Sequence, residues 1–148
     1  MNYARIAFAA VAATIFDALY GFLVYGILLA PRFEQYPGVY RSNQAGQAFL
    51  PLMFGGLFIA IAAAAIIYAK GYEGGSGVAE GARFGLLLGL FVVFAFAGVN
   101  YATLNIGRQL TVMVAAAGFA EWLGIGTVIG LVYKPAAGSP RQQPARYD

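Results

Sequence analysis

The sequence predicts an all-α membrane protein, a bundle of four transmembrane helices with both termini cytoplasmic, and three observations carry that reading. Of the 148 residues, 61% are apolar and only 10% charged, whereas a soluble domain has about 25% charged residues. The mean hydropathy is +0.72. Four apolar stretches are each long enough for the roughly 20 helical residues that cross a hydrocarbon core of about 30 Å. The basic residues divide unevenly between the two faces such a bundle would have. Arg5, Lys70, Arg83, Lys134, Arg141 and Arg146 fall on the side of the termini, against Arg32, Arg41 and Arg108 on the other. Six against three favours cytoplasmic termini, because lysine and arginine accumulate on the cytoplasmic side. The same distribution accounts for the net charge of +3 and argues against nucleic acid, which would require a basic stripe.

The first span is expected over residues 6–30. An early arginine and an alanine-rich run resemble a cleavable signal peptide, but the apolar length is too great and Asp17 interrupts it, so the segment reads as a retained helix. The loop PRFEQYPGVYRSNQAGQ follows, where Pro31 and Pro37 oppose helix continuation. Its Phe33, Tyr36 and Tyr40, beside Arg32 and Arg41, suit anchoring at a membrane interface or docking of a partner. The second span is expected over residues 48–69. The glycine-rich segment KGYEGGSGVAEGAR then turns the chain, with Glu73 and Glu80 pairing loosely with Lys70 and Arg83. It has no Gly-Lys-Ser/Thr and no preceding strand, so it is no nucleotide loop. A third span over 84–106 and a fourth over 110–133 form a hairpin through NIGRQ. Residues 1–135 thus make the transmembrane domain, and the proline-rich polar residues 136–148 are expected to be a disordered cytoplasmic tail. Short matches between the two halves, ARIAF with ARFGL and IIYAK with LVYKP, leave a duplicated hairpin open.

With no histidine and no cysteine there is no imidazole or thiolate metal site, no cysteine nucleophile, no Ser-His-Asp triad and no disulfide. Neither a metal nor a cofactor is expected, and an enzyme is not the expected class. Interest falls on polar residues that lipid should reject. Asp17 lies 12 residues from Arg5 and 15 from Arg32, and Glu121 lies 13 from both Arg108 and Lys134. Both acids therefore sit near the centre of their spans. An ionised residue there costs about 2.5 to 3.5 kcal/mol, so at least one of the pair is expected to carry a proton at neutral pH. Asn100, Thr103, Tyr20, Tyr25 and Tyr101 are candidate hydrogen-bond partners.

Helical spacing places small residues on the same faces as these groups. Asp17 shares its face with Ala10, Ala13, Thr14, Gly21 and Val24, and Glu121 with Val114, Ala117, Gly118, Gly124 and Ile125. Asn100 lies on a face with Gly89, Val93, Phe96 and Gly107. One interior cluster is expected, able to bind a proton or a ligand through Asp17, Glu121, Asn100, Tyr20 and Tyr101, with Trp122 walling a pocket. The competing reading is polar glue between helices, at about 0.6 kcal/mol per hydrogen bond. Gly21, Gly85, Gly89, Gly118 and Gly124 are the expected close-packing positions, and Gly126 to Gly130 and Gly56-Ala60-Ala64 repeat the four-residue spacing.

The run YAKGYEGGSGVAEGARFGLLLGLF, with its Lys-Gly-Tyr-Glu-Gly-Gly loop, its Glu-Gly-x-Arg-Phe-Gly helix start and the later Gly130-Leu-Val-Tyr-Lys-Pro135, resembles a family of small bacterial four-helix membrane proteins. The resemblance covers most of Tyr68 to Pro135 and implies a multi-pass protein of the bacterial inner membrane; it brings no activity with it. Asp17, a lone acid in a first helix, is similar in idea to the site of small multidrug-resistance transporters, which exchange protons for organic cations. Glu121 and the longer loops depart from that family. RSNQAGQAFLP faintly resembles the glutathione and eicosanoid membrane enzymes, but their glutamate is missing and the loop falls on the wrong side. The expected function is that of an accessory or structural subunit, packing in the lipid bilayer against other membrane subunits or copies of itself. The alternative is a small proton-coupled carrier, or a bundle that binds a small amphipathic or cationic ligand at its central carboxyls.

Overall fold

The computed structural model describes residues 1–133. The expected tail at 136–148, like Lys134, Arg141 and Arg146, lies outside the described residues. The described residues form only helices and the turns between them. Four helices are long and apolar enough to cross a membrane: α1 (Tyr3–Leu28), α2 (Gln44–Gly71), α3 (Gly77–Thr103) and α4 (Arg108–Tyr133).

Local chemistry accounts for their ends. Asn2 caps α1 by accepting the Arg5 N–H at 3.2 Å, the usual job of asparagine before a first turn. Ser42 does the same for α2 through the Ala45 N–H at 3.3 Å. Pro51 stands at the start of the regular part of α2, Leu50–Gly71, where a missing N–H costs nothing. α3 begins at Gly77, seven residues before the expected start at 84. The glycines of the supposed turn are helical there because they face another helix, as shown below. The turn itself shrinks to Tyr72–Ser76, where Gly74 takes a φ of 89°, a conformation that glycine adopts without strain.

α4 is the central element: α3 packs along it, and α1 lies against it on another side and also contacts α2. The α3–α4 contact is built from glycine. A methyl group placed on Gly81 would meet the Gly126 carbonyl, and one on Gly85 would come within 2.6 Å of the Leu123 carbonyl. Gly126 and Gly130 press back against the backbone of Gly85, Gly77 and Gly81. Backbone-to-backbone approach of this kind is what small residues at four-residue spacing allow.

The buried core occupies the end of the bundle that carries the N-terminus and Tyr133, here the proximal end. It joins Ile6, Ala9, Ala10 and Ala13 of α1 to Ile61, Ala64, Ala65 and Tyr68 of α2 and to Ile125 and Ile129 of α4. Alanine dominates, so the helices close tightly. Toward the distal end, α1 and α2 carry larger side chains, Phe22, Tyr25, Met53 and Phe54, and α2 leaves the bundle with Leu52 and Ile59 exposed. α1 and α2 therefore converge proximally and separate distally.

On the distal side a helical turn, Ala30–Phe33, begins the first loop. Tyr36 accepts the Gly107 N–H at 3.1 Å and so ties this loop to the α3–α4 turn. Phe33 and Tyr40 pack ring to ring at 4.8 Å, and the Arg41 guanidinium lies 3.9 Å over the Phe49 ring. Within the loop Phe33 and Tyr40 thus engage each other, and Arg41 engages the start of α2.

Candidate functional site

The separation of α1 from α2 leaves a cavity of about 650 Å³ halfway along the bundle. Gly21, Phe22 and Tyr25 of α1 line one wall and Leu50, Met53 and Phe54 of α2 the other. Asp17 and Glu121 line it too, and both are buried, at 2% and 9% exposure. An apolar cavity with a few convergent polar groups is the usual form of a small-molecule site.

The two carboxyls stand side by side, close enough to interact directly. A hydrogen bond between two carboxyl groups needs a proton on one of them. Their surroundings differ. Glu121 Oε2 accepts the Tyr25 hydroxyl at 3.1 Å, whereas Asp17 Oδ1 is buried with no hydrogen-bond partner among the described residues. Tyr20 donates to the Ala117 carbonyl at 2.9 Å, pinning α1 to α4 one helical turn from Glu121. Tyr20 and Tyr25 meet edge to face at 6.4 Å.

Tyr25 reaches Glu121 because α1 widens to a π-helix over Phe22–Leu28. The wider turn shifts the register of every side chain after Gly21, and such segments recur at functional sites. A second π-helical segment, Val93–Gly98, interrupts α3. Nothing in the residue pattern announces either one, which is why Tyr25 was only one of several hydroxyl candidates from sequence.

The structure brings together Asp17, Glu121 and Tyr20, with Tyr25 added. It does not bring the others. Asn100 and Tyr101 lie on an exposed face at the distal end of α3, and Thr103 donates within its own helix to Val99 at 2.9 Å. α3 does not border the α1–α2 opening, and although Gly89 of the expected Asn100 face packs against α4, the π-helical segment lies between the two residues and Asn100 itself is exposed. Trp122 packs against the core from α4 and does not wall the cavity. Among the expected packing glycines, Gly85 and Gly89 meet α4 closely and Gly124 seats the Phe16 ring. Gly118 makes an ordinary contact with Val92, while Gly21 has nothing within 4 Å of a methyl group placed on it. Gly21 is therefore open wall, not a packing contact. Gly56 is equally open.

A second hollow of about 660 Å³ lies on the distal side, bordered by Phe33, Glu34, Tyr40, Arg41 and Ser42. Tyr25 and Phe33 line both this hollow and the carboxyl cavity. The arrangement offers a vestibule with Glu34, Arg41 and Ser42 at its border, an aromatic neck and an apolar chamber ending on two acids. No group of three or more acidic, histidine or cysteine residues suited to a metal occurs among the described residues. Comparison with protein-family models, with curated proteins and with solved structures finds no match for this chain.

Proposed function

We propose that the chain is a small multi-pass protein of a bacterial inner membrane that binds an amphipathic, cationic ligand between α1 and α2, exchanging it for a proton on the Asp17–Glu121 pair. The observation that carries this reading is the chamber itself, whose walls are apolar and whose only acidic lining groups are those two carboxyls. An apolar body fits the walls, and a positive head replaces the proton that one carboxyl must otherwise hold. Charge is conserved: one proton leaves for each monovalent cation bound. Tetraphenylphosphonium, a lipophilic cation, is the test probe. Equilibrium dialysis with proteoliposomes in weak buffer should show saturable binding accompanied by acidification. The double variant Asp17→Asn, Glu121→Gln should lose both while still folding. Saturable binding that survives the double variant would count against the carboxyl site.

A second reading, an accessory subunit packing against other membrane proteins, draws support from α2, whose distal half carries Leu52, Met53, Phe54 and Ile59 with no helix against their exposed surfaces. Gentle detergent extraction separates the two. A subunit should leave the membrane in one defined larger assembly that the double variant leaves intact; a protein recovered alone or only with copies of itself speaks against it.

A further inference from the structure

The two ends of the bundle hold their turns differently. At the proximal end Glu80, expected from sequence to pair loosely with a neighbouring cation, is buried and accepts the Gly75 N–H at 2.8 Å, which closes the turn before α3 locally. The first loop, at the distal end, is held by a remote part of the chain. The Tyr36 hydroxyl accepts the N–H of Gly107, whose own carbonyl starts α4 by accepting the Thr111 N–H at 3.1 Å. Tyr36 fits there against a bare Cα, since a methyl group on Gly107 would take the place of its hydroxyl. The loop is thus clasped to the central helix between its two ends, Leu29, buried at 2% exposure, and Ser42, the cap of α2.

Tyr36 is also the hub of the loop's backbone. Its N–H donates to the Phe33 carbonyl at 3.0 Å, and its carbonyl accepts from the Val39 and Tyr40 N–H groups at 2.9 and 3.0 Å. Phe33 and Tyr40 both line the vestibule, and Phe33 lines the chamber as well. The neck between the two cavities therefore has two sides, each fastened to α4. Tyr25 is fastened through Glu121. Phe33 is fastened through Tyr36 and Gly107. A hydrogen bond between neutral groups contributes little net free energy, so this second fastening opens and closes far more readily than the packed helices do.

We propose that the first loop is a lid on the carboxyl chamber, latched by Tyr36 on Gly107, and that a ligand passes the neck between Phe33 and Tyr25 when this latch opens. The inference rests on the chamber being a binding site. Tyr36 lines neither cavity, so its role is to set the rate of passage and not the strength of binding. Loosening the latch speeds entry and release together and leaves their ratio, the affinity, in place.

The test reads access to the chamber without needing its ligand. The chain has no cysteine, and Gly21 is open chamber wall, so Gly21→Cys in the full chain, held in nanodiscs, reports entry of a methanethiosulfonate bearing a trimethylammonium group, which does not cross lipid. Its modification rate should rise about fivefold when Tyr36→Phe removes the hydrogen bond, and by at least as much in Gly107→Ala, whose methyl displaces the Tyr36 hydroxyl. Without the cysteine, the same two variants should release tetraphenylphosphonium about fivefold faster while its Kd changes by less than about threefold. No modification in any background, or a rate unchanged in either variant, overturns the lid. A Kd weakened while modification rates stay at the wild-type value makes Tyr36 a structural prop and also overturns it. Should Gly107→Ala fail to fold, Tyr36→Phe decides alone. If the wild type binds no tetraphenylphosphonium while the modification rates respond as expected, the lid stands and the cation reading of the chamber falls.

Discussion

Glu121 has a hydroxyl donor at 3.1 Å from Tyr25, while its neighbour Asp17 buries an oxygen to which none of the described residues donates, so the two acids contribute differently. Asp17 adds more cost than cohesion. Asp17→Asn should leave the thermal unfolding midpoint unchanged or higher, because a neutral amide is cheaper to bury, and should weaken tetraphenylphosphonium binding about tenfold. A midpoint that falls in step with binding would make the residue structural. Tyr25→Phe removes only a hydroxyl and should cost about 0.6 kcal/mol, the average for a hydrogen bond between membrane helices. In the first loop, burial and then the adjacent Tyr36 push the Tyr40 phenol above the usual tyrosine value. Folding therefore favours its neutral form, and that contribution is complete below the ordinary tyrosine range of about 10 and lost as pH rises through the folded value. Phenolate absorbance compared between wild type and Tyr40→Phe should show the missing component titrating later than a free tyrosine.

At the level of helices, the α3–α4 pair depends on absence of side chains. Gly85→Val would drive a branched side chain into the Leu123 and Trp122 backbone, where even a methyl lies at 2.6 to 2.9 Å. Overpacking of this sort costs about 1 to 3 kcal/mol, and the variant should unfold at lower temperature in detergent. Gly56→Ala, facing open space, should not. Gly85 and Gly89 were legible in sequence because a four-residue spacing of glycine within an apolar run has few other uses. Gly81 was not, since Glu80 and Arg83 around it gave the segment the polarity of a loop. Gly21 misled for the opposite reason. Its spacing matched a packing stripe, but neighbouring Phe22 and Tyr25 hold α2 away and leave it as cavity wall. That opening supplies a sharper test of the site than removing charge. Gly21→Leu should fill the chamber, abolish cation binding and leave the unfolding midpoint within a few degrees of wild type; retained binding would place the ligand elsewhere.

Across the whole molecule, four apolar runs separated by proline-rich and glycine-rich turns were enough to give helix number and order, because length and hydropathy are summed over many residues. Asp17 and Glu121 were legible for the converse reason, as single charges where none belongs. Their meeting depended on how α1 rests on α4, and the cavity on where α2 departs, neither of which is written in any one segment. Orientation rests on the asymmetry of basic residues alone, and the absence of cysteine makes it cleanly testable. Gln35→Cys in the exposed first loop and Ser76→Cys in the exposed turn before α3 sit at opposite ends of the bundle. With cytoplasmic termini, a membrane-impermeant maleimide applied to intact bacterial cells should label Gln35→Cys and reach Ser76→Cys only after the membrane is opened. The reverse pattern would invert the protein and turn the vestibule toward the cytoplasm. Equal labelling of both in intact cells would mean that the two turns do not lie on opposite sides of a membrane, and the ion exchange proposed for the chamber would then lack the barrier it needs.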